Sequence, residues 1–260
     1  GDVDFSYSIQ CDRPWVCFDA VQGNVESLTK GSESVVVTCD RSKLKGRERA
    51  LVEIDVTFSN GEKTVGRLEL IADEAVNDCA AGTYIERQGY IAMNADGFTE
   101  QKDVGDEGFA VIEHLGRMGS AVKAFPVTKS WIDAAEAPYL RYMFAAENEG
   151  DYIIRFYLLP RNPVEKGKRM CLAFSINGER KKTLDTVSDS FHADCSCEEW
   201  NRGVLDNTRV IESVVPVRKG ENQLYFYAAD PGIVLERIVL YPENTRLPES
   251  YLGPVESWRK

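Results

Sequence analysis

The chain has 260 residues, 43% hydrophobic and 28% charged, which is enough for one large domain or two of ordinary size. Its 31 basic and 42 acidic residues give a net charge of −11, which argues against a nucleic-acid or anionic-membrane partner because phosphate groups require a basic surface. No apolar run approaches the roughly 20 residues that span a bilayer, so membrane insertion is not expected. The seven cysteines are an odd number, most of them predicted to be small buried hydrophobes, and with two histidines a zinc site is not expected.

The first 76 residues predict short strands joined by turns. An apolar stretch at residues 14–18 and a β-branched run at residues 34–39 precede a strand at residues 50–58 with alternating apolar positions. The turn Ser59-Asn60-Gly61-Glu62 then closes a hairpin. Because no amphipathic helix separates these strands, we expect a small immunoglobulin-like β-sandwich.

The order of parts in this region is a Pro-Trp pair, a glycine turn, a valine-rich strand followed by Asp-Arg-Ser, and an Asn-Gly turn. This order resembles that of BACON-type β-sandwich modules, which sit beside catalytic domains in polysaccharide-degrading enzymes. Small and polar residues then predict a linker at residues 77–83.

Residues 84–260 also contain segments with strand patterns. Eight segments carry strand patterns, at residues 90–93, 109–114, 139–144, 152–159, 170–176, 210–217, 223–228 and 232–241. Asn177-Gly178 is a strong hairpin signal. This number of strands, with long loops between some of them, predicts a larger jelly-roll sandwich, and the whole chain is therefore predicted to be all-β with two β-sandwich domains.

The stretch Leu115–Val122 places two glycines three residues apart, with an arginine between them, inside an otherwise apolar segment. Glycine permits positive φ or a close backbone approach. The pattern predicts a tight crossover between two strands.

Seven short sequence motifs, which we call phrases, follow one another in a specific order in the second half of the chain. They are Tyr84–Ile91, Leu115–Val122, Ala137–Tyr142, Phe174–Gly178, Trp200 with Val204–Asn207, Asp230–Leu235 and Ser250–Pro254. Together they resemble the C-terminal domain of family 115 glycoside hydrolases, the α-glucuronidases that remove (4-O-methyl)glucuronic acid from xylan. The resemblance implies a fold like that of carbohydrate-binding modules, a periplasmic or extracellular location, and a catalytic barrel upstream of this region.

The resemblance also implies a candidate calcium site. Related modules begin with a Glu-Ala-Glu-type phrase whose carboxylates, together with one from the last strand, often hold a structural calcium ion. Here the phrase reads Asn94-Ala95-Asp96-Gly97. Asp96 and Glu236 are therefore candidate oxygen ligands, with Asn94 as a neutral third, and exposed polar residues without a metal are the alternative.

Catalysis by this chain alone is not expected. A glycosidase needs two carboxylates that face each other across the scissile bond, and no such pair is singled out among the 42 acids. The sequence has no Gly-x-Ser-x-Gly, P-loop or dinucleotide fingerprint. It also lacks the alternating strand–helix pattern of a catalytic barrel.

Sugar recognition combines aromatic rings with groups that bond hydroxyls or carboxylates. The candidate rings are Trp131, Tyr139, Trp200 and Tyr251, and for each of them packing in the core is the alternative. Arg202, Asp206 and Asn207 lie near Trp200 in the sequence. Arg117 is a candidate because a guanidinium pairs well with a uronic acid carboxylate, although an internal salt bridge would also explain it.

The leading hypothesis is a non-catalytic C-terminal accessory portion of an α-glucuronidase-like enzyme. It would scaffold a catalytic domain of the same or a partner polypeptide and contact a plant polysaccharide, glucuronoxylan. The alternative is a stand-alone carbohydrate-binding protein of a polysaccharide-utilisation system. A third hypothesis is an enzyme with its site in a β-sandwich.

Overall fold

The computed structural model describes residues 3–28, 31–72, 79–117, 119–164, 169–248, 250 and 253–260. Within these residues the chain forms 18 β-strands, one short 3-10 helix and one nine-residue α-helix, so the protein is all-β as predicted. The chain divides into two compact units, Gly1–Asn77 and Asp78–Lys260. None of the helices in the described residues has the length and apolar character needed to cross a bilayer.

Unit 1 contains a four-stranded antiparallel sheet of order β3-β1-β5-β6 and a two-stranded sheet of β2 and β4. The strands are β1 Phe5–Cys11, β2 Val16–Phe18, β3 Gln22–Val25, β4 Val37–Cys39, β5 Glu48–Phe58 and β6 Lys63–Ala72, with a 3-10 turn at Arg41–Lys43.

The core of unit 1 gathers around Trp15, which packs with Val16, Leu44 and Ala50. The indole N–H of Trp15 donates to a carboxylate oxygen of Glu48 at 3.0 Å, so the buried ring keeps its one polar group satisfied. The predicted hairpin is confirmed, because β5 and β6 pair directly through a turn at residues 59–62.

Unit 2 is a sandwich of two six-stranded sheets. The first sheet has the order β10-β11-β18-β13-β16, with β8 also pairing with β18, and the second has the order β15-β14-β17-β12-β7, with β9 also pairing with β12. The strands are β7 Tyr84–Ile85, β8 Ile91–Asn94, β9 Glu100–Lys102, β10 Gly108–Glu113, β11 Ser120–Phe125, β12 Tyr139–Ala146, β13 Gly150–Leu158, β14 Cys171–Ile176, β15 Lys182–Asp185, β16 Arg209–Val217, β17 Gly220–Tyr227 and β18 Val234–Pro242.

The two sheets of unit 2 are joined by a continuous aromatic and aliphatic core. Phe156 of the first sheet lies with its ring centroid 5.0 Å from that of Phe174 and 6.0 Å from that of Phe226, both in the second sheet. All three rings are buried. Burial of side chains this large is the main favourable contribution to folding of the sandwich.

The eight strands predicted for this half are all present. The helix α1, Glu198–Asp206, was not predicted, because it has only nine residues and includes Gly203. Residues 79–83, part of the predicted linker, lie in unit 2: Cys79 and Thr83 are buried, and the backbone N–H of Gly82 donates to the carbonyl of Lys260 at 2.8 Å.

The stretch Leu115–Val122 connects β10 and β11 as a tight antiparallel hairpin. The backbone N–H of His114 donates to the carbonyl of Gly119 at 2.7 Å, and Gly116 and Gly119 both have positive φ, at +79° and +91°. The connection is therefore tight, as predicted, but it is a hairpin between neighbouring strands and not a crossover; glycine suits both positions.

Candidate functional site

Glu236 is a buried carboxylate that organises one end of unit 2. The pairing of β13 with β18 skips this residue, which makes it the extra residue of a β-bulge. Its side chain is fully buried and accepts a hydrogen bond from the backbone N–H of Arg117 at 2.6 Å and one from the Thr208 hydroxyl at 3.4 Å. Burial raises the pKa of Glu236 above its ordinary value, although these two hydrogen bonds oppose the rise.

Arg117 is held at both ends. Its backbone N–H bonds to Glu236, and its guanidinium Nη1 donates to the backbone carbonyl of Asp206 at 3.0 Å. Asp206 is the last residue of α1, where carbonyl groups lack partners within the helix and carry the negative end of its dipole. The hairpin, the bulge and the helix end therefore fix Arg117 together.

Arg117 lines a cleft of about 540 Å³ on unit 2, which we call the arginine cleft. Its polar wall combines two guanidinium groups, a carboxylate and several hydroxyls, from Arg117, Arg155, Asp206, Tyr157, Thr208, Tyr241, Thr245 and Ser250. Its apolar wall comes from Val210, Leu247, Pro248 and Pro254. Such a mixture suits a ligand that is polar at its edges and apolar on its faces.

Arg155 orders the floor of the arginine cleft. It lies beside Glu212 across β13 and β16 and pairs with that carboxylate at 2.6 Å. Its guanidinium also donates to the hydroxyl of Tyr241 at 2.9 Å and to that of Tyr157 at 3.3 Å. Burial lowers the pKa of Arg155, but hydrogen bonds with Tyr157 and Glu212 outweigh this and leave the pKa above its ordinary value. Burial raises the pKa of Tyr241 to about 12, so this phenol stays protonated.

A second cleft of about 570 Å³ lies beside α1, and we call it the helix cleft. Arg202, Glu199 and Arg209 line it. It shares Asp206, Thr208 and Val210 with the arginine cleft, so the two clefts meet at the C-terminal end of α1.

Two of the predicted sugar-binding residues line these clefts. Arg117 lines the arginine cleft and Arg202 the helix cleft. Trp200 is half-buried on α1, and the exposed Asn207 caps the helix in the left-handed conformation, with φ of 48°. Tyr251 lies outside the described residues.

Trp131 lies elsewhere, in the core of unit 2. Its side chain is 1% exposed, and its indole N–H donates to a carboxylate oxygen of Glu107 at 2.8 Å. A sugar stacks only on a ring face that it can reach, so the position of Trp131 supports its core alternative.

Two of the predicted calcium ligands, Asn94 and Glu236, have different hydrogen-bond partners. The side-chain carbonyl oxygen of Asn94 accepts two hydrogen bonds from the guanidinium of Arg237, at 2.9 and 2.6 Å, while Glu236 bonds to Arg117 and Thr208. Asp96 is exposed, and the described residues contain no group of three His, Cys, Asp or Glu side chains arranged for a metal. A guanidinium already carries positive charge at Asn94, and calcium binding by Asn94, Asp96 and Glu236 stays a prediction.

Sequence reasoning missed three residues of the arginine cleft, Arg155, Tyr157 and Tyr241, because they lie inside strands. A signal for two of them exists in the alternation of β13, where Arg155 and Tyr157 are interleaved with the buried core residues Ile154, Phe156 and Leu158. The alternation separates the two faces of the strand. It does not show which outward face borders a cleft.

Residues 83–256 match the sequence model of the family described as Glycosyl hydrolase family 115 C-terminal domain. The chain belongs to this family. The resemblance noted from the seven phrases is thereby confirmed, and the family 115 C-terminal domain coincides with most of unit 2. The match begins at residue 83, so the BACON-like character of unit 1 stays a prediction.

Solved structures similar to this chain come from carbohydrate-active proteins. A family 115 4-O-methyl-α-glucuronidase with specificity for decorated arabinogalactans is 23% identical, with a TM-score of 0.47, over 61% of this chain and 18% of its own length. A family 35 carbohydrate-binding module from Clostridium thermocellum is 13% identical, with a TM-score of 0.39, over 58% of this chain and 96% of its own. The C-terminal family 6 module of a Zobellia galactanivorans laminarinase is 16% identical, with a TM-score of 0.37, over 59% and 99%.

A comparison with curated proteins finds no matching sequence. The match to the 4-O-methyl-α-glucuronidase covers 18% of the length of that enzyme. The chain contains the family 115 C-terminal domain, an accessory domain of a glycoside hydrolase.

Proposed function

We propose that this chain is the non-catalytic accessory portion of an α-glucuronidase-like enzyme and that its arginine cleft binds an acidic sugar of the polysaccharide substrate. The observation that carries the proposal is the composition of the cleft. A guanidinium from Arg117, the hydroxyls of Tyr157, Tyr241 and Thr208, and an apolar wall enclose a volume of about 540 Å³. These groups match the carboxylate, the hydroxyls and the apolar face of a uronic acid.

The hydrogen-bonding geometry of Arg117, rather than the net charge of the cleft, supports an acidic ligand. Arg155 is paired with Glu212 at 2.6 Å, and the cleft also contains the carboxylate of Asp206, so the two arginines do not give it a net positive charge. The planar guanidinium of Arg117 can still form two parallel hydrogen bonds with a carboxylate, a geometry that a neutral sugar hydroxyl does not offer. Glucuronic acid is the acidic sugar implied by the family, and glucuronoxylan or a decorated arabinogalactan would supply it.

The scaffolding role also belongs to this proposal. The C-terminal part of α1 exposes two consecutive apolar side chains, Val204 at 56% and Leu205 at 82%. Exposed apolar surface of this kind is a common feature of surfaces that pack against another domain. We therefore propose that the chain packs against a catalytic domain of the same or a partner polypeptide, in the periplasm or outside the cell.

The environment of the buried carboxylates supports a non-catalytic role. Glu86 and Glu236 both have pKa values raised by burial, which is a property of catalytic acids. Each of them, however, accepts hydrogen bonds from a backbone N–H and a hydroxyl within the fold, as expected for structural groups. Release of glucuronic acid from glucuronoxylan by the 260-residue chain alone would contradict the proposal.

Calorimetric titration of the full chain tests the cleft, with glucuronic acid-bearing xylo-oligosaccharides and their unsubstituted counterparts as ligands. We expect saturable binding of the acidic oligosaccharide only. Arg117→Ala is expected to weaken it by about tenfold to a hundredfold, since a hydrogen bond to a charged group contributes about 1.5–3 kcal/mol. Arg218→Ala, at an exposed position between β16 and β17, is the matched control and is expected to bind like the wild type.

Arg117→Lys separates charge from geometry, because lysine keeps the charge and loses the planar fork. It is expected to bind more weakly than the wild type and more tightly than Arg117→Ala. Unchanged affinity in Arg117→Ala would overturn the role of the arginine cleft. If the wild type binds neither oligosaccharide, the scaffolding role remains and the binding role is rejected.

A further inference from the structure

Three tyrosines share the outer face of the second sheet of unit 2. Tyr139 in β12 is the cross-strand partner of Tyr227 in β17, and Tyr225 lies two residues before Tyr227 on the same face. The intervening residues Leu224 and Phe226 are buried in the core, which directs the tyrosines away from it, and all three are half-buried. We call Tyr139, Tyr225 and Tyr227 the tyrosine platform.

The rings of the tyrosine platform form an ordered group. Tyr225 and Tyr227 follow each other along β17 with their ring planes 19° apart and their centroids 6.3 Å apart. Tyr139 stands nearly perpendicular to both, with centroid distances of 5.2 Å to Tyr225 and 6.0 Å to Tyr227. Two near-parallel rings in succession suit the apolar faces of consecutive sugar rings, and the third ring supports them from the side.

Each phenol hydroxyl is anchored to a different neighbour. The Tyr139 hydroxyl donates to Glu100 at 2.8 Å, and the Tyr225 hydroxyl donates to the side-chain oxygen of Gln223 at 2.7 Å. The Tyr227 hydroxyl shares a hydrogen bond with the Ser175 hydroxyl at 3.1 Å. The rings are therefore held in place before any ligand arrives, which reduces the entropy lost on binding.

Basic side chains flank the tyrosine platform on two sides. The ammonium of Lys102 lies 5.9 Å from the ring centroid of Tyr139, and that of Lys181 lies 5.8 Å from the ring centroid of Tyr227. Arg141 pairs with Glu100 at 2.8 Å, so this ion pair adds no net charge. The two lysines leave the surface positive within an acidic chain, which favours a ligand that carries negative charge.

We propose that the tyrosine platform is a second glycan-binding surface, which binds an extended polysaccharide chain bearing uronic-acid groups. Sugar rings stack on Tyr225 and Tyr227, and the carboxylates reach Lys102 and Lys181. Three features together favour such a polysaccharide: a row of aromatic rings, a lysine at each end, and a domain that belongs to a glycoside hydrolase family. The platform lies on the second sheet and has no residue in common with the arginine cleft, which borders β13, β16 and β18 of the first.

Affinity electrophoresis of the full chain in gels containing glucuronoxylan tests the proposal. The double variant Tyr225→Ala/Tyr227→Ala is expected to lose about tenfold or more in affinity, since two aromatic contacts each contribute about 0.5–1.5 kcal/mol. The matched control Tyr225→Phe/Tyr227→Phe keeps both rings and is expected to retain binding. Equal retardation of the alanine variant and the wild type would overturn the proposal, as would an equal loss in the phenylalanine variant.

Charge reversal at the flanking lysines gives a second measurement that leaves the platform rings unaltered. Lys102→Glu/Lys181→Glu is expected to weaken binding of glucuronoxylan by about threefold or more and to leave binding of xylan without uronic acid unchanged. An equal effect on both polymers would overturn the acidic part of the proposal. Binding of a single-stranded oligonucleotide in place of either glycan would overturn the choice of ligand.

The variants distinguish binding at the tyrosine platform from binding at the arginine cleft. Arg117→Ala is expected to reduce binding of short acidic oligosaccharides and to leave retardation by the polymer largely intact. The platform variants are expected to show the opposite pattern. A single variant that removes both activities would show one binding surface and would contradict the assignment of two.

Discussion

At the scale of single residues, buried polar groups define much of unit 2. Glu86 is 3% exposed, and one of its carboxylate oxygens accepts hydrogen bonds from the backbone N–H of Glu147 at 2.7 Å and from the Tyr152 hydroxyl at 2.9 Å. Burial is the largest influence on this carboxyl and raises the pKa of Glu86, while the two hydrogen bonds oppose the rise. The residue therefore couples the stability of the fold to pH.

The pH dependence of Glu86 has a definite sign. Because its folded-state pKa lies above the unfolded value near 4.5, its contribution to stability is complete below that pH and is lost as pH rises through the folded pKa. Glu86→Gln does not titrate, so its free energy of unfolding, relative to that of the wild type, is expected to increase from pH 4 to pH 7. Urea denaturation across this range measures the difference.

Glu113→Gln, at an exposed position of β10, controls for the loss of one negative charge. A difference between Glu86→Gln and the wild type that stays constant or becomes smaller with rising pH would contradict the role assigned to burial.

At the scale of elements, the β10–β11 hairpin packs against the bulge in β18. Gly116 lies so close to the bulged Glu236 that a Cβ atom there would be 1.9 Å from its carboxylate oxygen. Gly119 in the same hairpin also has positive φ, yet a Cβ atom there would meet nothing within 4 Å. Alanine substitutions at the two glycines therefore distinguish the cost of backbone strain from the cost of steric overlap.

Gly119→Ala is expected to cost about 1–2 kcal/mol in the free energy of unfolding, because alanine is strained in the left-handed region. Gly116→Ala carries the same strain and is expected to cost a further 1–3 kcal/mol or so from overlap with a buried, hydrogen-bonded carboxylate. Chemical denaturation of both variants at neutral pH makes the comparison. Equal costs would show that Glu236 moves aside freely.

At the scale of the whole molecule, each unit has a core of its own. Trp15, Leu44 and Ala50 are central in unit 1, and the Phe156, Phe174 and Phe226 cluster is central in unit 2. Separate cores within one chain predict separate cooperative unfolding transitions.

Scanning calorimetry of paired core variants tests this independence. Val52→Ala, at a position 1% exposed in unit 1, is expected to lower one transition, and Leu240→Ala, at a position 0% exposed in unit 2, is expected to lower the other. Losses of about 1–3 and 2–5 kcal/mol correspond to shifts of several degrees. Leu205→Ala, at a position 82% exposed, is the control that leaves both transitions in place. A shift of both transitions by either core variant would show that the units unfold together.

The sequence by itself determined the all-β class, eight of the twelve strands described for unit 2, the hairpin turns and membership of the family 115 C-terminal domain. These properties depend on local alternation, on turn residues such as Asn177-Gly178, and on phrases read in order along the chain. Arg117 and Arg202 were also identified from sequence, and both line clefts.

Only the tertiary structure decided which of these residues act together. Arg117 meets the end of α1 at Asp206, 89 positions away, and Glu236 meets the hairpin from the last strand. The burial of Trp131, the guanidinium of Arg237 at Asn94, and the three outward tyrosines of the second sheet depend in the same way on pairing between distant strands. Sequence patterns show which face of a strand is apolar, but a cleft or a platform is formed where faces of separate elements meet, and that is a property of packing.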